Sequence, residues 1–291
     1  MVKILLTVLV VMVAAFTYVF LKDVAAHKNE PKVKPHWFMG IIGLVANFLD
    51  TLGIGSFAQI TAVCKVTKSI DDKLIPGTLN VANAIPIALQ AIIFITVVKV
   101  EALTLTALVV SAVAGAWLGA GIVVRCSRRK IQLAMGIALA VTAGLMVASM
   151  AGLIQGHGNA DRLTGGLLAA GMVGNFILGA FMTAGVGLYA PCMAMLFLLG
   201  MSPLKVFPIM MGSCAFLMPV AGIRFIKKEQ YARKPSAVIA VTGSIGVLIA
   251  AYFVTSLPLE WLKIVVVAVV VYASGAMLYS AIKEKNRNNH V

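Results

Sequence analysis

The chain has 291 residues, 61% of them hydrophobic and 12% charged, with a formal net charge of +14. So few charges exclude an ordinary soluble domain, which carries about twice that share, and point to a polytopic membrane protein. The Lys and Arg excess reads as loops gathered on one side of a bilayer, not as a nucleic-acid surface, because no basic stretch is interleaved with base-stacking aromatics.

Apolar segments are predicted at 4–21, 37–66, 74–97, 102–124, 131–154, 164–200, 204–226, 236–256 and 261–282. The first follows a single Lys, as a secretory leader does. At 18 residues it is long for one, and it lacks a small-x-small cleavage site, so it reads as a retained N-terminal helix. Most of the others fit one crossing of a ~30 Å hydrocarbon core. Segments 37–66 and 164–200 are too long for one crossing. Each carries a glycine break near its middle: LGIGSFAQ (Leu52–Gln59) in the first, AGVGLYAP (Ala184–Pro191) in the second.

Charge separates the two readings of these long segments. As single crossings they would split Lys and Arg almost evenly between the faces. As hairpins that enter and return, they leave 19 of the 24 Lys and Arg on one face, and Lys3, Lys99, Arg162, Lys205 and Lys263 on the other. The basic face is the cytoplasmic one. The N-terminus is therefore expected outside and the C-terminus inside, as a multi-pass protein of the cell (inner) membrane.

An internal repeat supports the hairpins. Gly43, Val45, Asn47 and Phe48 match Gly171, Val173, Asn175 and Phe176 at an offset of 128. Gly53, Gly55, Phe57 and Ala58 match Gly185, Gly187, Tyr189 and Ala190 at 132, with the four-residue slip assigned to the hairpin tip. The expected fold is all-α: two inverted-topology repeats, each a re-entrant, broken-helix hairpin plus three transmembrane helices, preceded by one extra N-terminal helix. The expected divisions are 1–35 (helix and basic loop), 36–160 (repeat 1) and 161–291 (repeat 2 and basic tail).

The tips carry the candidate chemistry. Non-helical backbone at membrane depth is tolerated only where protein or a wet cavity surrounds it. A return limb that begins there points free N–H groups and a positive dipole end at the midplane, which suits an anion. Gly53, Gly55, Ser56 and Gln59 at one tip, and Gly185, Gly187 and Tyr189 at the other, are the candidate substrate-binding residues. Thr78, Asn80, Asn83 and Ser213, with Gly77, extend the shell from the helices that follow. There Pro86 and Pro219 should free the carbonyls of Ala82 and Ala215. Helix-to-helix packing and hydrogen bonding are the competing reading for each. Asn47 and Asn175 are expected to hold the broken backbone. Asp50 is the one carboxylate placed well inside the membrane, a candidate for proton coupling or for capping the tip. Lys73 and Lys205 either draw anions to the two mouths or snorkel at the interface.

Cys64, Cys126, Cys192 and Cys214 form no C-x-x-C pair, and the four histidines fall in predicted loops or the tail, so no metal site or cofactor is expected. No Walker-type GxxxxGK[ST] sequence is present.

The Gly-(Ile/Val)-Gly tips, the segment Gly77 to Asn80 and the two-fold layout resemble the sulfite exporter TauE/SafE family over about residues 40–282. Gly53, Gly55, Gly77 and Thr78, with Gly185 and Gly187 as repeat counterparts, are the positions that carry the resemblance. Ser56 and Phe57 depart from a first motif that is usually richer in glycine. The resemblance implies a permease for sulfite, sulfonates or related small sulfur-containing anions, often working outward. The expected function is secondary transport of a small anion by alternating access around a midplane site, not enzyme catalysis. The expected partners are that anion and the lipid bilayer, with no nucleic acid. A passive anion channel is the alternative, and a membrane-embedded enzyme a more remote one.

Overall fold

A computed structural model describes residues 2–27, 36–153 and 160–253, and positions 267, 271–272, 274–275 and 277–283. The chain is all helical among the described residues, in the order α1 (Val2–Ala26), α2 (His36–Thr51), α3 (Phe57–Thr67), α4 (Ile75–Ala82), α5 (Ala84–Val97), α6 (Ala102–Val123), α7 (Arg128–Met150), α8 (Gly165–Met182), α9 (Tyr189–Leu198), α10 (Pro203–Lys227) and α11 (Arg233–Phe253). Five of these, α1, α6, α8, α10 and α11, are long and apolar enough to cross a membrane, and α4 with α5 forms a sixth, bent candidate. The chain is thus a multi-pass membrane protein. Half of segment 261–282, with His157 and His290, lies outside the described residues.

Both long apolar segments break at their glycines. Gly53 takes φ +86° and Gly185 φ +92°. At the first break Gly53 N–H donates to Asp50 O (2.9 Å) and Ile54 N–H to Leu49 O (3.2 Å). At the second, Gly185 N–H donates to Met182 O (3.0 Å) and Val186 N–H to Phe181 O (3.4 Å). These are two copies of one Schellman C-cap, in which glycine supplies the left-handed residue that lets the last carbonyls find donors. The turns have equal length and align at offset 132. The four-residue slip therefore falls upstream of the tip, between Asn175 and the glycine, as about one extra turn of α8. In that register Asp50 corresponds to Met182.

The path of the chain around each break follows from its contacts. Thr78 Oγ1 accepts from Ala232 N–H (2.9 Å), which sets the start of α4 beside the loop that leads into α11. Gly40 of α2 packs on Thr242 and Val238, and Leu44 on Gly246, so α2 runs alongside α11 from that same end. After the break α3 comes back there: Lys65 near its end pairs with Asp72 (2.5 Å), which also accepts from Gln132 at the start of α7 (2.7 Å). The second break has its own neighbours. Gly171 packs on Leu108 and Gly179 on Ala112, so α8 runs alongside α6. Residues 160 and 200–202 then meet in backbone hydrogen bonds, Ala160 N–H to Gly200 O and Ser202 N–H to Ala160 O. Small residues make both pairings possible. A Cβ on Gly115 would strike the Phe176 carbonyl, and one on Gly246 the Leu44 carbonyl.

The segment expected as one span at 74–97 is bent by 44° at Asn83. Pro86 lacks an N–H, and the break falls one turn before it. The second copy differs: α10 continues through Pro208 and Pro219. In the first copy the Asn83 amide donates to Leu79 O (2.8 Å) and its oxygen accepts from Asn47 Nδ2 (2.9 Å), which fixes the hinge. At the offset of 132 the place of Asn83 falls on Ala215, which carries no amide with which to bridge in this way.

Candidate functional site

The two glycine turns meet. A Cβ on Gly55 would lie 3.9 Å from Tyr189 Cβ, and one on Gly187 would lie 3.9 Å from Phe57 Cβ. Phe57 and Tyr189 are the repeat-equivalent first residues of α3 and α9. Both helices therefore begin at one central junction.

Each begins with first-turn amides that have no partner inside their own helix. The first intrahelical bonds are Ile60 N–H to Ser56 O (3.1 Å) and Cys192 N–H to Leu188 O (2.9 Å). The amides before them lie in the orphan first turn. Neither N-cap residue, Ser56 or Leu188, caps with its side chain. The two ends differ in capacity, because Pro191 at the third position of α9 has no N–H to give.

Polar side chains surround the first tip. Asn47, Asp50, Ser56, Gln59 and Asn80 are all buried. Asn47 Oδ1, Asp50 Oδ2, Ser56 Oγ, Gln59 Oε1, Thr61 Oγ1 and Asn80 Oδ1 have no hydrogen-bond partner among the described residues. No residue of the second tip shares that condition. Asp50 faces Ser56, Gln90 and Tyr189. Buried polar groups of this kind are satisfied by ordered water, an ion or a ligand.

Other expected residues hold the junction together. Asn47 Nδ2 donates to Gly43 O (2.9 Å) and to Asn83; Asn175 Nδ2 donates to Leu108 O (2.8 Å) and to Ser213 Oγ (2.8 Å). Each asparagine thus ties the first limb of its hairpin to the third helix of its copy. Asn80 Nδ2 donates to Met182 O (3.3 Å), joining α4 to the end of α8 beside the second tip. Gln59 Nε2 bonds back to Gly55 O (2.8 Å).

Gly77 and Thr78 lie elsewhere. Gly77 abuts the Gln230 carbonyl, so both residues sit against loop 230–232 at the end of the bundle rather than at the junction. Lys205 bonds Lys99 O (2.6 Å) and Asp161 (3.4 Å), which makes it a tie between loops. Gly187 does not adopt a positive φ, unlike Gly53, Gly55 and Gly185.

Gln90 escaped the sequence reading. Tyr189 OH donates to its Oε1 (2.8 Å), and its Nε2 reaches Asn47 O (3.5 Å), so it bridges the second tip to the first hairpin. The signal was present: Gln90 is the only strongly polar side chain in the apolar run Ala84–Val97, where an amide generally seeks another helix.

Cys64, Cys192 and Cys214 are buried and unbridged, and among the described residues no three His, Cys, Asp or Glu side chains gather as a metal site.

No curated protein and no solved structure matches the chain. The model of the family described as Sulfite exporter TauE/SafE matches residues 1–146 and 167–291. The chain therefore belongs to the sulfite exporter TauE/SafE family, whose members are membrane transporters and not enzymes.

Proposed function

We propose that the protein is a secondary transporter that exports a small anion, such as sulfite, a sulfonate or a related organic anion, by alternating access around the junction of the two tips. The observation that carries this reading is the reciprocal contact of Gly55 with Tyr189 and of Gly187 with Phe57. Two uncapped helix starts converge there from opposite ends of the bundle, and their first-turn amides provide an anion site without a buried Lys. The exchanged pairing, α2 with α11 and α8 with α6, supports two inverted-topology repeats. A rocking motion of one repeat on the other would open the junction to each side in turn.

Within this reading Asp50 is the coupling group. An ionised carboxylate at the start of α3 repels a second anion, and a proton removes that repulsion. Proton and anion would then occupy the junction together. The second tip, with Met182 in the equivalent place, supplies donors only.

Gly187→Leu tests the path, because its backbone conformation tolerates a side chain. We expect a folded, monodisperse protein with sulfite flux in proteoliposomes reduced at least tenfold; unchanged flux would refute the placement. Asp50→Asn is expected to retain anion counterflow while losing the response to an imposed proton gradient. Flux that neither saturates nor shows counterflow in the parent protein would instead identify a passive channel.

A further inference from the structure

The seam between α6 and α10 carries a second feature, remote from the junction. At its basic end a cavity of about 440 Å³ is lined by Arg125, Arg224, Lys227 and Lys228, with Trp117 and Gly121 forming part of its wall. Among the described residues no carboxylate lines it. Arg224 is not a freely solvated cation: its guanidinium lies 4.5 Å from the Trp117 ring centroid and donates through Nη1 to the Trp117 carbonyl. Gly121 makes this posture possible, since a Cβ there would stand 2.6 Å from Nη1. A guanidinium has five N–H donors. With one of them given to the Trp117 carbonyl, Arg224 keeps others for a ligand. Trp117, at 52% exposed, marks the seam as open on its outer side.

A second cavity, of about 400 Å³, follows along the same seam toward the opposite end. Val109, Val110 and Val113 of α6 and Phe216 of α10 line it, and α1 closes its far wall. Among the described residues its lining carries no charged side chain. From Val110 to Gly121 is eleven residues, about 16 Å of helix, close to the half-thickness of a ~30 Å hydrocarbon core.

We infer that the α6–α10 seam is a binding site for an anionic phospholipid, its phosphodiester held by Arg125, Arg224, Lys227 and Lys228 and an acyl chain laid against Val113 and Val110. Basic cavities between transmembrane helices recognise anionic headgroups in this way. The apolar continuation distinguishes a lipid from a soluble phosphate, which has nothing to place there. The four cations, with no carboxylate among them, disfavour a zwitterionic headgroup.

The test is native mass spectrometry of the full chain from mixed micelles, with phosphatidylglycerol and phosphatidylcholine of identical acyl chains as probes. The parent protein should retain phosphatidylglycerol about tenfold or more over phosphatidylcholine. The triple substitution Arg224→Gln, Lys227→Gln, Lys228→Gln should bring the two lipids to equal retention. Val113→Trp, which keeps every charge, should lower retention of phosphatidylglycerol several-fold. Lys99→Gln, at the other end of α6, should change nothing. Equal retention of both lipids by the parent, or a preference untouched by both the triple substitution and Val113→Trp, would overturn the inference. So would displacement of phosphatidylglycerol by millimolar inorganic phosphate, which would assign the cations to a soluble anion. Size-exclusion profiles matching the parent guard against a misfolded variant.

Discussion

At the scale of single residues, the four tip glycines are not equivalent. Gly53 and Gly185 occupy the left-handed position of a helix cap, where a side chain costs about 1–2 kcal/mol in backbone strain alone. Each is also crowded: a Cβ on Gly53 would lie 2.9 Å from the Phe207 ring, and one on Gly185 would lie 2.7 Å from Met135 Cε. Gly187 has neither constraint. Gly53→Ala and Gly185→Ala should therefore each lower thermal stability in detergent by roughly 2 kcal/mol, while Gly187→Ala stays within about 0.5 kcal/mol of the parent. A uniform response across the three would contradict the assigned cap geometry. The sequence marks all four positions alike. Only the backbone distinguishes glycine needed for conformation from glycine standing where two tips meet.

The elements are joined by amide bridges that pattern alone does not pair. Asn47 with Asn83 and Asn175 with Ser213 link each hairpin to the long helix that follows it. Interhelical hydrogen bonds of this kind contribute about 0.6 kcal/mol on average and up to about 1.7 kcal/mol. Double-mutant cycles with alanine at each pair should give coupling within that range, and zero coupling at both would remove the bridges as structural ties. Asn83 also sits at the bend between α4 and α5. Asn83→Ala should loosen that hinge, seen as faster amide exchange in residues 79–87. Breaks at Gly53 and Gly185 were legible because glycine has a fixed conformational meaning. The continuity of α10 through Pro219 was not, because whether a proline breaks a helix depends on what its neighbours offer the freed carbonyl.

For the molecule as a whole, the arrangement gathers charge at one end. Lys65 with Asp72, the Arg125–Arg224–Lys227 cluster and the Arg233–Asp23 pair (2.7 Å) all belong there, with the end of α1. Under the orientation we propose that end faces the cytoplasm. Cysteines placed at Ser69 and Ser127, in a background lacking the four native cysteines, should resist an impermeant thiol reagent added outside. A cysteine at Asp161 should react. The opposite pattern would invert the topology while leaving the fold intact.

Membrane character, the all-helical class, the limits of most described helices and the two glycine breaks were determined by the sequence itself. Hydropathy and glycine act locally, and their signal survives in a linear string. The tertiary structure alone decided the rest: which hairpin limb packs on which helix, that one extra turn of α8 shifts the register upstream of the tip, that Gly77 and Thr78 serve a loop contact, and that Gln90 reaches Tyr189. These depend on side chains far apart in the chain finding one another. In an apolar alphabet of so few residue types, many pairings look equally good until packing selects one.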